Sequence, residues 1–560
     1  MPSENLVETD VLVIGGGIAG CFAAIKARGQ GLDVTIVDKA YAGKSGASIG
    51  ACRSWMVYNP EWGVDFDECM NAFNTEGEYI NHREWDEIIL NESLAIYHDL
   101  VSWGVKFPPD SLKYIKEFPP FGNVRLTYRE ISPTLRKQAK GVGVKIMDRI
   151  MITDLLKQDG KVVGAIGFSY DTGDLHIFKA KATVLAGGSN SFKPNGYPVS
   201  ILTGDAEGMA YRAGAEITGK EFLTTHSSTS RHFNWMAIIN SPGFLTHFTD
   251  AEGTRHVSFV KGTETGTGFE PDLTTEFLVH AGKGPIFWDY GNLTPEDMKA
   301  INIHQQTYGI KEHEQKVQIS GGATAGYADV GTAGVWVIDT KCTTNLPGLY
   351  AAGDCGGTRH NGAFTCNTGL GTSPAAVTGR RAGAGAAEYA SQAEKPEIDK
   401  EELARLKKIL YAPTERKSGF GPRWVTQLLQ NTVMPYFILH IRHEERLQAA
   451  LTTVAFLREH LVPQLTTKDA HELRLAHETK NMVLNAEMIL QASLFRTESR
   501  GVHYREDYPR RDDPNWLAWV KIMQDEQGGM KLLKEPIPRE WWPDLTKSYE
   551  ERYPRRFPGE

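Results

Sequence analysis

The sequence predicts an α/β fold: a Rossmann-like dinucleotide-binding domain, interrupted by an inserted α+β capping domain and followed by a helical domain. Three observations carry this prediction. Residues 11–40, VLVIGGGIAGCFAAIKARGQGLDVTIVDKA, read as strand, glycine cluster, helix and second strand. Two further apolar runs end in glycines far downstream, ATVLAGGSN at 182–190 and TNLPGLYAAGDCGG at 344–357. From about residue 401 the apolar spacing becomes helical.

The opening unit explains itself residue by residue. Gly15, Gly17 and Gly20 stand in G-x-G-x-x-G spacing at the end of a buried-type strand. Such glycines permit a tight turn and let a pyrophosphate reach the free N–H groups of the following helix. Asp38 closes the second strand, where a carboxylate accepts hydrogen bonds from ribose hydroxyls. Strand, glycines, helix, strand and acid in register point to dinucleotide binding.

The downstream segments choose between nucleotides. A nicotinamide-only enzyme needs neither ATVLAGG nor LYAAGD, whereas both resemble the later flavin-contacting segments of flavoproteins of the two-dinucleotide-binding type. That resemblance implies FAD, with Asp354 on the ribityl chain. Four further stretches make the likeness specific: KSGASIGA (44–51), TGDAEGMAYRAGAEI (203–217), LPGLYAAGD and RTESRGVHYREDYPRRDD (496–513). Together they resemble the fumarate reductase and succinate dehydrogenase flavoprotein superfamily. Within it, VETDVLVIGGGIAGC, LYAPTER and AFLREHL with KDAHELRLAHE look closest to the alpha subunit of adenylylsulfate reductase. The resemblance implies cofactor contacts from Lys39, Ser45, Gly46, Ala47, Gly187, Gly188, Asp205, Gly353 and Ser373, besides the residues already named. In covalent members of the superfamily a His follows the Ser of this loop; Gly46 stands there, which implies a noncovalent flavin.

The resemblance also implies the domain plan. The FAD domain takes residues 1–225 and 330–395, the capping domain 226–329, the helical domain 401–500 and an extended tail 501–560. Leu447, Ala450, Leu451, Val454, Leu457 and Leu461 recur at three- and four-residue spacing, a packing stripe. Pro and Trp in YPRRDDPNW and PIPREWWPD suit a segment laid over the other domains.

The substrate pocket departs from the family. His226 in EFLTTHSST matches a substrate-facing His, but the His of the family's HxMGG motif falls near Asp329, or in the rival alignment within QISGG, which carries no His either. No Arg occurs in AFTCNTGLGTS, where the family's carboxylate-gripping Arg belongs, nor anywhere from 256 to 310. A dicarboxylate needs fixed cations. Succinate and fumarate are therefore poor candidates. The adenylylsulfate pocket is altered as well, with Met56 and Asp329 at two of its positions. The residues placed around the expected flavin face are Arg53, Trp55, Tyr58, His226, Arg231, His232, Asp329 and His360. His or Tyr can donate a proton beside hydride transfer at flavin N5, and Asp329 can tune a nearby His. The reading is a two-electron reduction or dehydrogenation of an activated C–C bond in a small non-dicarboxylate substrate. The alternatives are chemistry at sulfur with an iron–sulfur partner, and a flavin electron-transfer subunit with no substrate of its own.

Composition sets the outer bounds. The chain has 560 residues, 41% hydrophobic and 23% charged, with a formal net charge of −8. No basic field invites nucleic acid. No stretch reaches the roughly 18 apolar residues of a membrane span, and the N-terminus lacks a signal-type pattern, so a cytoplasmic enzyme is expected. Cysteines 21, 52, 69, 342, 355 and 366 form no CxxC pair. No metal centre is expected within the chain, and a cluster would sit on a small ferredoxin-like or other electron-transfer partner, in a homo- or hetero-oligomer.

Overall fold

The strand Glu4–Ile14 is the axis of the first sheet, and its last four residues are buried because both edges are occupied. Val34–Asp38 and Leu175–Leu185 flank it in parallel. Lys145–Asp148 lies outside the former, and Lys161–Ser169 and Ile150–Gln158 continue antiparallel beyond the latter. The computed structural model describes residues 3–50, 54–107, 124–126, 130–193, 201–223, 248–256, 278–279, 281–289, 316–318, 332–364 and 371–560. Leu349–Ala351 pairs in parallel with Thr183–Leu185, so the chain returns to the sheet that residue 4 began.

Two helices close over this sheet at unusually short range. Ile18–Arg28 packs on Thr372–Gln392, and a Cβ on Gly379 or Gly383 would lie 2.3 or 2.2 Å from the carbonyl oxygen of Ala19 or Ala23. Those glycines, four residues apart on one face, let the two backbones touch.

A second sheet gathers distant segments in the order Gly356–Gly357, Gly334–Trp336, Ile217–Thr218, Ala518–Gln524 and Met530–Pro536. The chain leaves this sheet after Thr218 and re-enters it at Gly334, the two residues being paired antiparallel. Between them in sequence, Phe248–Thr249, Arg255–His256, Phe287–Asp289 and Lys316–Gln318 form an antiparallel sheet of their own. Helices follow at Lys400–Glu415, Pro422–Val433, Glu444–Phe456 and Ala470–Phe495. Leu447, Ala450, Val454, Leu457 and Leu461 are buried among them, as their spacing predicts, and Leu451 is partly buried.

The tail is more than a strap. Ala518–Gln524 and Met530–Pro536 form an antiparallel hairpin that extends the second sheet. Its first strand is fixed by Thr218 Oγ1 donating to Val520 O at 2.9 Å and by Trp519 Nε1 donating to Ile80 O at 2.7 Å. No helix among the described residues is long and apolar enough to cross a membrane.

Candidate functional site

At the C-terminal ends of the parallel strands lies a cleft with about 1000 Å³ of empty space. Its floor is backbone. Gly15 has φ +106°, and a Cβ there would sit 2.2 Å from Ala186 O, while a Cβ on Gly20 would meet Gly15 O at 1.9 Å. Gly15 and Gly17 line the cleft, whereas Gly20 lies behind it and acts by letting the helix approach the turn. The middle glycine, Gly16, has a role that the spacing argument missed. Its N–H donates to Asp38 Oδ2 at 2.7 Å, and a Cβ would strike Ala42 Cβ at 2.2 Å.

Asp38 is buried at the cleft wall and also accepts from Ala40 N at 2.7 Å and Ser45 Oγ at 3.3 Å. Burial pushes its pKa above the ordinary range despite these donors. A carboxylate offers about four acceptor positions and three are taken, so capacity remains for one ribose hydroxyl. Gly46 and Ala47 line the same wall, and Gly46 has φ +76° with nothing within 4 Å of where its Cβ would be.

Gly187, Gly188, Gly353 and Asp354 form the opposite wall. Asp354 has no hydrogen-bond or ionic partner among the described residues, and burial pushes its pKa up to about 7. An unpartnered carboxyl facing a cleft suits the polyol part of a flavin. The glycine cradle, the acid at the second strand and this acid at the return strand together fit FAD.

Two other anticipated contacts face one another. Lys39 and Asp205 line the cleft, but the ammonium bonds Asp205 Oδ2 at 2.7 Å, Glu478 Oε1 at 2.9 Å and the Ile201 carbonyl at 2.9 Å. Asp205 Oδ1 accepts from Asn481 Nδ2 at 2.8 Å. Their side chains therefore tie the cleft to the helix Ala470–Phe495. Glu478 is fully buried among Lys39, Lys193 and Arg474; burial opposes its charge, yet the three cations hold its pKa at about 2. Sequence reasoning missed Glu478, since an acid in a mainly buried helix carries no local signal. Ser373 stands in the first turn of Thr372–Gln392 with its hydroxyl buried and unbonded, and it does not line the cleft. Gly371 and Ala375 from that region do.

Among the expected catalytic residues, Arg53, His226, Arg231 and Asp329 lie outside the described residues. Tyr58 and His360 are described, and neither lines the cleft. Tyr58 packs edge-on against Phe66 at 5.5 Å, with its backbone N–H on Ser93 Oγ. Its neighbour Trp55 is fully buried. His360 is buried with Nδ1 2.6 Å from Thr358 Oγ1.

A family model described as "FAD binding domain" matches residues 10–257, and one described as "Fumarate reductase flavoprotein C-term" matches residues 427–549. The chain is an FAD-dependent oxidoreductase of the fumarate reductase/succinate dehydrogenase flavoprotein family. It is 28% identical to one subunit of the fumarate reductase (CoM/CoB) of Methanothermobacter marburgensis, over 93% of this chain and 98% of that one. It is 27% identical to an uncharacterised FAD-dependent oxidoreductase of Methanocaldococcus jannaschii, over 92% and 96%. Among solved structures it superposes on an E. coli quinol fumarate reductase chain with TM-score 0.82, 18% identity and coverage of 98% and 99%. Adenylylsulfate reductase of Archaeoglobus fulgidus gives 0.74 at 22% identity, with coverage of 96% and 97%. These likenesses place the fold of this oxidoreductase within the family.

Proposed function

We propose that this flavoprotein carries out a two-electron reduction or dehydrogenation of an activated carbon–carbon bond in a substrate bearing no more than one carboxylate. Bound FAD supplies hydride chemistry at N5; the chain positions the substrate and furnishes a proton. The observation that carries the substrate reading is the set of lost cations: no His stands near Asp329 or in the rival QISGG, and Arg is absent from 363–373 and from 256–310. Two carboxylates in a water-poor pocket without matching cations would each cost several kcal/mol, roughly the effective penalty for a buried ion. His226 is the proton donor on this reading, with Asp329 setting its basicity and Arg53, Tyr58, Arg231 and His360 supporting the pocket. FAD is held noncovalently, because Gly46 offers no nucleophile at the position where other members carry a His. Asp38 takes the ribose, Asp354 the ribityl hydroxyls and the Gly15–Gly17 turn the pyrophosphate.

A second reading, chemistry at sulfur with electrons from an iron–sulfur partner, is favoured by the fold-wide likeness to adenylylsulfate reductase. The two separate by sulfite titration of the oxidised holoenzyme under anaerobic conditions. Bleaching of the flavin band by a sulfite adduct, with reoxidation of the reduced enzyme by adenylylsulfate, supports the second. No adduct, and reoxidation by cinnamate, supports the first.

A further inference from the structure

Four buried arginines of the C-terminal region are paired with carboxylates. Arg496 meets Glu221 at 2.9 Å, Arg500 meets Asp513 at 2.7 Å, Arg505 meets Asp507 at 2.5 Å and Arg511 meets Glu78 at 2.6 Å. Arg359 is built differently. It is 3% exposed, yet among the described residues its guanidinium bonds carbonyls alone, Nη1 to Gly357 O at 3.0 Å and Nη2 to Val337 O at 3.3 Å. Its Nε is buried without a hydrogen-bond partner among the described residues. Trp336 and Trp519 cover it, with ring centroids 3.8 and 4.9 Å from Cζ. Its own backbone is held at φ +61°, a conformation costly for a side-chain-bearing residue. The nearby His82 stacks on Trp519, and burial, with Arg359 adding to it, lowers its pKa to about 3, so it stays neutral. A chain with a net charge of −8 has carboxylates to spare, and no described one forms an ion pair here.

Arg359 also borders a small cavity with room for at most one water molecule. Thr218, Gly219, Phe222 and Thr332 line it beside Trp519, together with Glu221, whose carboxylate is bound to Arg496. The cavity thus lies where the inserted segment leaves and rejoins the second sheet. Arg359 itself stands five residues after Asp354, which lines the cofactor cleft.

We propose that Arg359 is the specificity-determining cation of this enzyme: it receives the single anionic group of the substrate, one carboxylate oxygen entering the cavity to meet the unpaired N–H. This rests on the alkene reading for the rest of the substrate. It supplies an anion contact in a pocket that has lost the family's own cation positions.

The test uses the FAD-loaded enzyme as wild type, R359M and R359K. Rates with cinnamate and with methyl cinnamate give a preference ratio in kcat/KM. The ratio falls about tenfold or more in R359M, through KM for the acid, the loss expected for one hydrogen bond to a charged group. R359K, which keeps the charge without the planar fork, falls between. Formate is titrated separately while tryptophan fluorescence is followed, because Trp336 and Trp519 flank the site. Saturation in wild type and none in R359M supports the anion site even if neither cinnamate compound reoxidises the flavin, an outcome that would sink the alkene reading alone. An unchanged ratio in both variants, or no saturable formate response in wild type, makes Arg359 an internal clamp and overturns the proposal.

Discussion

The cofactor cleft and the junction behind it are made of opposite materials. The cleft is shaped by removing side chains: Gly15, Gly16, Gly20 and Gly353 bring backbone within contact of Ala186, Ala42, Gly15 and Ala19. The junction with the helix Ala470–Phe495 is made of charge, with Glu478 gripped by three cations and Asp205 by Lys39 and Asn481. Lys39 belongs to both, and it spends its charge on the junction. On the proposed binding mode the nucleotide would need few free charges, because backbone N–H groups and two acids would meet it while buried ion pairs hold the walls in place.

The contrast breaks most visibly at the glycines. G20A should yield protein that retains no flavin, since its Cβ would lie 1.9 Å from a carbonyl oxygen. G46A, with no protein atom within 4 Å of the added Cβ, should cost the flavin-free protein only about 1–2 kcal/mol for a left-handed backbone. The flavin-to-protein absorbance ratio and Tm measure both.

On the charged side, E478Q leaves Lys39, Lys193 and Arg474 facing a neutral amide and should cost about 3–5 kcal/mol in denaturant unfolding. The pH dependence has a definite sign. Glu478 is held at about 2 against its ordinary 4.5, so its contribution is full above 4.5 and lost as pH falls toward 2. E478Q should flatten that acid limb.

The smallest effect sharpens the comparison at Asp354, a cleft residue with no partner among the described residues. D354N should weaken FAD binding roughly tenfold, the loss expected for a hydrogen bond to a charged group, measured by flavin fluorescence on dilution. In the flavin-free protein the sign reverses. The raised pKa makes ionisation easier in the unfolded chain, so stability falls as pH rises from 3.8 to about 7. D354N should remove that slope.

Sequence reading succeeded where cause and effect are neighbours along the chain. The strand, glycine turn, helix and second strand from Glu4 to Asp38 and the Leu447–Leu461 stripe follow from local spacing, whereas the return strand before Asp354 is legible only through the family resemblance. It did not foresee Glu478 or Arg359, whose meaning depends on partners: one has three cations brought from 39, 193 and 474, and the other has indoles in place of a carboxylate. The tail hairpin was hidden for the same reason, since its strand partner, Ile217–Thr218, lies some 300 residues earlier. Lys39 and Asp205 show the converse limit: both line the cleft, while their side chains bond one another and the helix Ala470–Phe495.

The most direct test of the central claim is a single-turnover experiment: anaerobic photoreduction of the holoenzyme, then stopped-flow mixing with cinnamate or with fumarate while the flavin band is followed. Rapid recovery of the oxidised flavin with cinnamate, and none with fumarate, is the result expected of a pocket without dicarboxylate cations. Rapid recovery with fumarate would contradict it and return this chain to the dicarboxylate chemistry named in its relatives.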